Sequence, residues 1–198
     1  MRGAPRLPGL GAPRAQGRAI RISHEGLSPM TRTLILTRHA KSSWDDPALE
    51  DHDRPLNVRG RRSAEEIGRW LAERGYLPDA LLSSTSVRTR ETWALISRAL
   101  QPRIPARWEA ALYHAGPQEI LDVLRTAEGE TVMLLGHNPG IGIAAANLAA
   151  AGPGHPRFND YPTAATTVYR FDIADWAEAD WRGGEVVDFV VPRELGVH

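Results

Sequence analysis

The chain has 198 residues, 42% of them hydrophobic, and its 24 basic residues balance 24 acidic ones. That length suits one domain with a substantial core, and the charge balance argues against a general affinity for nucleic acid or acidic membranes. The absence of cysteine excludes disulfide scaffolds, thiolate nucleophiles and thiolate-ligated zinc. It also fits a reducing cytoplasm, which is the location we expect. Since no apolar run approaches the ~20 residues that span a bilayer, we expect no membrane segment.

Residues 1–29 differ in composition from the rest of the chain. They are rich in glycine, proline and arginine and contain little that a core would bury. A secretory signal needs an apolar stretch of roughly 7–15 residues, and none is present. The segment is also short of serine for a transit peptide. We expect a disordered extension, or a start codon assigned too far upstream, and a single domain over residues 30–198.

From Thr33 onward, strand and helix patterns alternate. Asn57 is a candidate cap for the first helix and Gly75 a natural stop, while Pro139 suits the first turn of the last helix. The predicted strands are 33–37, 80–82, 104–108, 131–135, 166–171 and 186–191, and the other predicted helices are 87–100 and 117–125. This alternation predicts a three-layer α/β sandwich with a mostly parallel central sheet.

Polar residues follow the three clearest strands. They are Arg38-His39, Ser83-Ser84 and Gly136-His137. Because ligands bind at the carboxyl ends of the strands in such sheets, we expect these residues to share one edge. Arg88 begins the helix after the second strand, where the helix dipole disfavours a cation. That placement suggests a partner, and a bound anion would supply it.

Together these residues suit phosphoryl transfer. The guanidinium groups of Arg38 and Arg88 match the oxygens of a phosphoryl group. A neutral imidazole at His39 can attack phosphorus and form a phosphohistidine, and His137 can stabilise the developing charge. No carboxylate cluster suited to magnesium lies beside them. We therefore expect neither a metal nor another cofactor.

The segment Leu36-Thr37-Arg38-His39-Ala40 resembles the signature of the histidine phosphatase superfamily, which has the phosphoglycerate mutase-like fold. An ordered set of further motifs, spanning about residues 31–195, is similar to its SixA-like branch, the phosphohistidine phosphatases. These motifs are RHAKSSW, DHDRPLNVRGRR, SSTSVRTRETW, GHNPG, YPTAATTVYRFD and VVDFVVPREL. One position departs from the usual pattern, because Ala40 stands where most members have glycine.

The resemblance implies roles for individual residues. It makes His39 the nucleophile, Arg38 and Arg88 the phosphate-binding arginines, and His137 the second histidine. Asn138 is a candidate substrate contact, and Lys41, the only lysine in the chain, is expected at the pocket rim.

A second departure concerns the general acid. In the wider superfamily a glutamate three residues before an aromatic residue often fills this role. Counting back from Tyr113, that position is Ala110. Glu109 lies one residue away and His114 follows the tyrosine, so either is a candidate replacement.

Three functions remain open at this point. The leading hypothesis is a monomeric phosphatase that removes phosphate from histidine on another protein. A phosphatase for small phosphomonoesters would use the same residues, so the motifs do not separate the two. A phosphate-binding module without catalysis is the third, which the missing acid favours and the four core residues oppose.

Overall fold

The structure, a computed structural model, describes residues 1, 30–101 and 103–198. The predicted N-terminal extension lies outside the described residues, apart from Met1. Six strands of the described chain form one sheet in the order β3-β2-β4-β1-β5-β6. The strands are β1 (Arg32–Arg38), β2 (Ala80–Ser84), β3 (Ala106–Glu109), β4 (Thr131–Gly136), β5 (Thr166–Phe171) and β6 (Gly184–Val190).

Strands β1 to β4 run parallel, and β5 is antiparallel to both of its neighbours. The helices are α1 (Val58–Arg74), α2 (Val87–Ile96), α3 (Pro117–Leu124) and α4 (Gly140–Leu148). The predicted α/β sandwich with a mostly parallel sheet is therefore confirmed. Within the described residues, none of these helices is long and apolar enough to cross a bilayer.

Helices cover both faces of the sheet because alternate strand residues point to opposite sides. Leu34 and Leu36 of β1 belong to the core beneath α3 and α4, whereas Ile35 belongs to the core beneath α1 and α2. All three are fully buried. The strands are apolar on both faces, as expected for a sheet between two helix layers.

The α1 boundaries are as predicted. The Asn57 side chain accepts a hydrogen bond from the Gly60 amide at 2.8 Å, and Gly75 ends the helix with a left-handed φ of 73°. A Cβ atom at Gly60 would lie 2.1 Å from the Lys41 carbonyl oxygen. Helix α1 therefore packs directly on the loop that follows β1.

Several predicted boundaries were wrong; among them, β2 runs to Ser84 rather than to residue 82, and β6 begins at Gly184 rather than at residue 186. Helix α2 ends at Ile96 rather than at residue 100, because residues 97–100 continue in tighter turns. The amides of Ala99 and Leu100 bond three residues back, to Ile96 and Ser97, which is the 3₁₀ pattern common at helix ends. The edge strand β3 begins at Ala106 rather than at residue 104, and Pro105, just before it, has no amide to donate.

Candidate active site

The parallel strands β2, β4 and β1 end side by side, and a cleft of about 300 Å³ opens at their carboxyl ends. All six residues selected from the sequence line this cleft: Arg38, His39, Lys41, Arg88, His137 and Asn138. Arg38 ends β1, His39 and His137 directly follow β1 and β4, and Arg88 lies in the first turn of α2. The sheet topology therefore brings together residues up to 100 positions apart in sequence.

His39 is fixed immediately after β1. Its amide donates to the Gly136 carbonyl of β4 at 3.0 Å, and its ring Nδ1 lies 2.7 Å from the Ala40 carbonyl oxygen. Because a carbonyl can only accept, Nδ1 carries the proton and the lone pair is on Nε2. The residue is 8% exposed. Burial lowers the pKa of His39 to about 3. The hydrogen bond to Ala40 opposes this shift, whereas the positive charges of Arg88 and Arg38 lower the pKa further.

Arg38 has one donor held by the backbone and one buried donor without a partner among the described residues. Its Nη1 donates to the Tyr161 carbonyl at 3.0 Å, which aims the guanidinium group. Its Nε atom is buried and has no hydrogen-bond partner among the described residues. Burial and the charge of Arg88 lower the pKa of Arg38. A buried N–H donor without a partner is costly, so an oxyanion at this position would satisfy it.

Arg88 has a partner that the sequence did not reveal. Its Nη2 donates to Asp51 Oδ2 at 2.9 Å, and its Nη1 contacts the Asp51 carbonyl. The cation at the start of α2 is therefore offset by an internal carboxylate, where we had expected a bound anion. Arg88 Nη2 also lies 3.3 Å from His137 Nδ1, so the same guanidinium group orients the second histidine.

Asp51 connects several cleft residues. Its Oδ1 accepts from Arg54 at 3.1 Å, and its Oδ2 accepts from Tyr113 at 2.8 Å. Burial opposes ionisation, but the hydrogen bonds from Tyr113 and Arg88 and the charge of Arg88 hold the pKa of Asp51 far below its ordinary value. An ionised Asp51 fixes Arg88 in place, since charge-assisted hydrogen bonds are the stronger ones.

His137 is neutral and held at both ring nitrogens. Because guanidinium groups only donate, Nδ1 accepts from Arg88, and Nε2 then donates to Ser84 Oγ at 2.8 Å. Its ring centroid lies 5.0 Å from that of His39. Burial lowers the pKa of His137 to about 2, and His39 and Arg88 contribute further. His137 can therefore donate to a phosphoryl oxygen from Nε2 only after its hydrogen bond to Ser84 Oγ is broken.

The two predicted substrate contacts occupy different positions. Lys41 is exposed at the rim of the cleft, and its carbonyl accepts from the Asn57 amide at 3.0 Å. Asn138 lies deeper and donates from Nδ2 to the Tyr161 carbonyl at 3.2 Å. Both Asn138 and Arg38 thus anchor the Tyr161 backbone, which connects them to the segment before β5.

The two candidates for the general acid separate clearly. Glu109 ends β3 and pairs with Arg107 at 2.6 Å, and it does not line the cleft. His114 does line the cleft, and its Nε2 lies 3.3 Å from Asp51 Oδ2. His114 also has a φ of 58°, a left-handed conformation that is uncommon outside glycine. Ala110 has no group that could donate a proton.

Sequence reasoning missed several further residues at or beside the site, among them Arg54, Asp51 and Thr92. Asp51 lies in the polar loop between β1 and α1, 37 residues from Arg88. Thr92 of α2 accepts at Oγ1 from the Ala40 amide at 3.0 Å. The available signal for Asp51 was the acidic motif Asp51-His52-Asp53 in a loop that starts beside the nucleophile candidate. Thr92 has no such signal, because it is one polar residue within a helix.

Comparison with known proteins agrees with this geometry. Residues 34–115 match the family model of the histidine phosphatase superfamily, branch 1. An uncharacterized protein of Mycobacterium tuberculosis is 36% identical over 165 residues, which are 79% of this chain and 99% of that protein.

Two solved structures, both provisionally named phosphohistidine phosphatase SixA, are similar along most of the chain. The structure from Nakamurella multipartitia is 32% identical with a TM-score of 0.65, covering 82% of this chain and 96% of that one. The structure from Agrobacterium tumefaciens is 30% identical with a TM-score of 0.67, covering 81% and 98%. The chain therefore belongs to the histidine phosphatase superfamily, in its SixA-like branch, and has the phosphoglycerate mutase-like fold.

Proposed function

We propose that this protein is a metal-independent phosphatase that removes phosphate from histidine residues of other proteins, with His39 as the nucleophile. The observation that carries the proposal is the His39 imidazole itself. Its Nδ1–H is held by the Ala40 carbonyl, and burial lowers its pKa to about 3. At neutral pH the Nε2 lone pair is therefore available without any proton transfer.

The reaction takes place in two displacements. In the first, the His39 Nε2 lone pair forms a bond to phosphorus while the bond to the leaving group breaks. In the second, water attacks the phosphohistidine, releases inorganic phosphate and restores the neutral imidazole. Arg38 and Arg88 bind the equatorial oxygens, whose charge spreads during transfer, so the two guanidinium groups supply the cationic environment.

The leaving group supports phosphohistidine as the substrate. An alkyl phosphate expels an alkoxide, which needs a proton in the transition state, and general acid catalysis contributes about 10²–10⁴-fold to such steps. Ala110 cannot supply that proton, and Glu109 pairs with Arg107 outside the cleft. Phosphohistidine releases an imidazole, which is a better leaving group and can take its proton from water.

One observation favours the second candidate, a phosphatase for small phosphomonoesters. His114 lines the cleft beside Asp51, so an imidazolium there has a carboxylate partner and could protonate an alkoxide. The non-catalytic alternative has less support, because His39, Arg38, Arg88 and His137 all face one cleft.

The experiment is a comparison of kcat/KM on a phosphohistidine peptide, the matching phosphoserine peptide and para-nitrophenyl phosphate. We expect phosphohistidine to be fastest, the aryl phosphate to be intermediate and phosphoserine to be slowest. Equal rates on the two peptides would support the phosphomonoesterase instead. No turnover of any of the three, together with retained phosphate binding, would indicate the non-catalytic module.

A further inference from the structure

A second groove lies next to the candidate active site and carries positive charge. It has a volume of about 370 Å³ and forms where α1, the segment before β5 and the C-terminal 3₁₀ turn Pro192–Leu195 meet. Three arginines line it: Arg59, Arg157 and Arg193. The chain as a whole has no net charge, so this concentration of cations is local.

Two of these arginines have no ion-pair partner among the residues that the structure describes. Arg157 pairs with Asp160 at 3.1 Å. Arg59 and Arg193, by contrast, make no ion pair and no side-chain hydrogen bond with any residue that the structure describes. Both are exposed. The nearby carboxylate of Glu194 accepts from His155 Nε2 at 2.7 Å and from the Val191 amide at 3.3 Å, and it makes no ion pair with Arg193 in the part of the chain that the structure describes.

The groove is connected to the nucleophile candidate through the chain itself. Thr163 lines both the groove and the active-site cleft. The next residue, Ala164, donates its amide to the His39 carbonyl at 3.1 Å. Lys41, at the rim of the cleft, contacts the first turn of α1 through its carbonyl. A ligand that extends from the cleft past Thr163 therefore meets Arg59 and Arg193.

We propose that this groove binds acidic side chains that flank the phosphohistidine on the protein substrate. The inference rests on the proposed function, because it names the part of that substrate which lies outside the phosphate pocket. Carboxylates match the unpaired guanidinium groups, which present planar donor forks. Exposed charges of this kind act mainly on recognition and association, and salt screens them.

The test uses fluorescence anisotropy on the intact protein with labelled peptides that carry a stable phosphoryl-triazole analogue of phosphohistidine. One peptide has glutamates on both sides of the analogue, and the matched peptide has glutamines at the same positions. We expect wild type to bind the glutamate peptide about three- to tenfold more tightly, since exposed ion pairs contribute modestly. The preference should shrink at about 1 M salt, where the Debye length is ~3 Å.

The double variant Arg59→Gln/Arg193→Gln should lose the preference and bind the glutamine peptide as wild type does. Arg103→Gln is the matched control, because Arg103 is an exposed arginine that lines a different pocket; this variant should keep the preference. The double variant should also hydrolyse para-nitrophenyl phosphate as wild type does. Equal binding of the two peptides by wild type, or a preference that survives in the double variant, would overturn the proposal.

A glutamate peptide without the phosphoryl analogue separates this proposal from the proposed function. If its weak binding at low salt disappears in the double variant, the groove recognises acidic segments whether or not phosphohistidine is the substrate. If the glutamate and glutamine peptides that carry the analogue bind equally, while a phosphohistidine peptide is hydrolysed, the proposed function stands and the groove proposal fails.

Discussion

Replacing Arg88 tests whether the site needs a planar donor fork or only a positive charge. Its side chain is 5% exposed and makes three contacts, with the Asp51 carboxylate, the Asp51 carbonyl and His137 Nδ1. Loss of one preorganised transition-state donor costs about 10²–10³ in rate, or roughly 3–4 kcal/mol. We therefore expect Arg88→Ala to lower kcat/KM on para-nitrophenyl phosphate by about that factor. Arg88→Lys should recover only part of the loss, because one ammonium cannot reproduce the fork.

In these variants the free energy of unfolding should fall by less than the activation free energy of the reaction rises. Asp51 keeps Arg54 and Tyr113 as partners when Arg88 is removed, so its carboxylate is not left unpaired. Arg90→Lys on the same helix is the matched control. Arg90 is exposed and stacks over Trp108, and we expect wild-type activity. Thermal unfolding measured beside the kinetics separates misfolding from lost catalysis, and full activity in folded Arg88→Lys would refute the reasoning.

Three further predictions concern pH, the N-terminus and the general acid. The pKa values of His39 and His137 lie near 3 and 2 in the folded protein and near 6.5 in the unfolded chain. The free energy of unfolding should therefore be level above about pH 6.5. Below that pH it should fall by about 1 kcal/mol per pH unit for each imidazole. Urea unfolding at pH 7 and pH 5 should show that His39→Asn loses less unfolding free energy between the two pH values than wild type does. A chain that begins at Met30 should match the full chain in melting temperature and turnover, because residues 1–29 show no hydrophobic periodicity, and a large drop in melting temperature would contradict this. Glu109→Ala should leave turnover of both peptides unchanged, whereas a selective loss of phosphoserine turnover in His114→Ala would identify His114 as a general acid and weaken the substrate argument.

The elements that the sequence predicted well are those with strong local signals. Helix α1 has a capping asparagine and a terminal glycine, and both form the predicted contacts. The strands β1 and β4 contain short apolar runs, and a polar residue ends β1 or directly follows β4. The end of α2 was predicted less well, because Leu100 continues the apolar pattern and is buried although the backbone has already left the helix.

The candidate site was predictable where residues end a strand or directly follow one, since the sheet brings the strand ends together. His39, Arg38 and His137 are of this kind. Asp51 was not predictable, because its contact with Arg88 depends on the path of the loop between β1 and α1. The helix dipole indicated that Arg88 needs a partner, but the expected partner was a bound anion, whereas the structure shows a carboxylate of the same chain.

The most direct test of the central claim is the identity of the phosphorylated residue during turnover. Rapid quenching with a radiolabelled substrate, followed by peptide mapping under alkaline conditions, should find acid-labile phosphate on His39. His39→Ala should form no phosphoenzyme and lose turnover, whereas the control His155→Ala, whose histidine lies outside the cleft and pairs with Glu194, should behave as wild type does. Label on another residue, or near wild-type turnover by His39→Ala, would contradict the account.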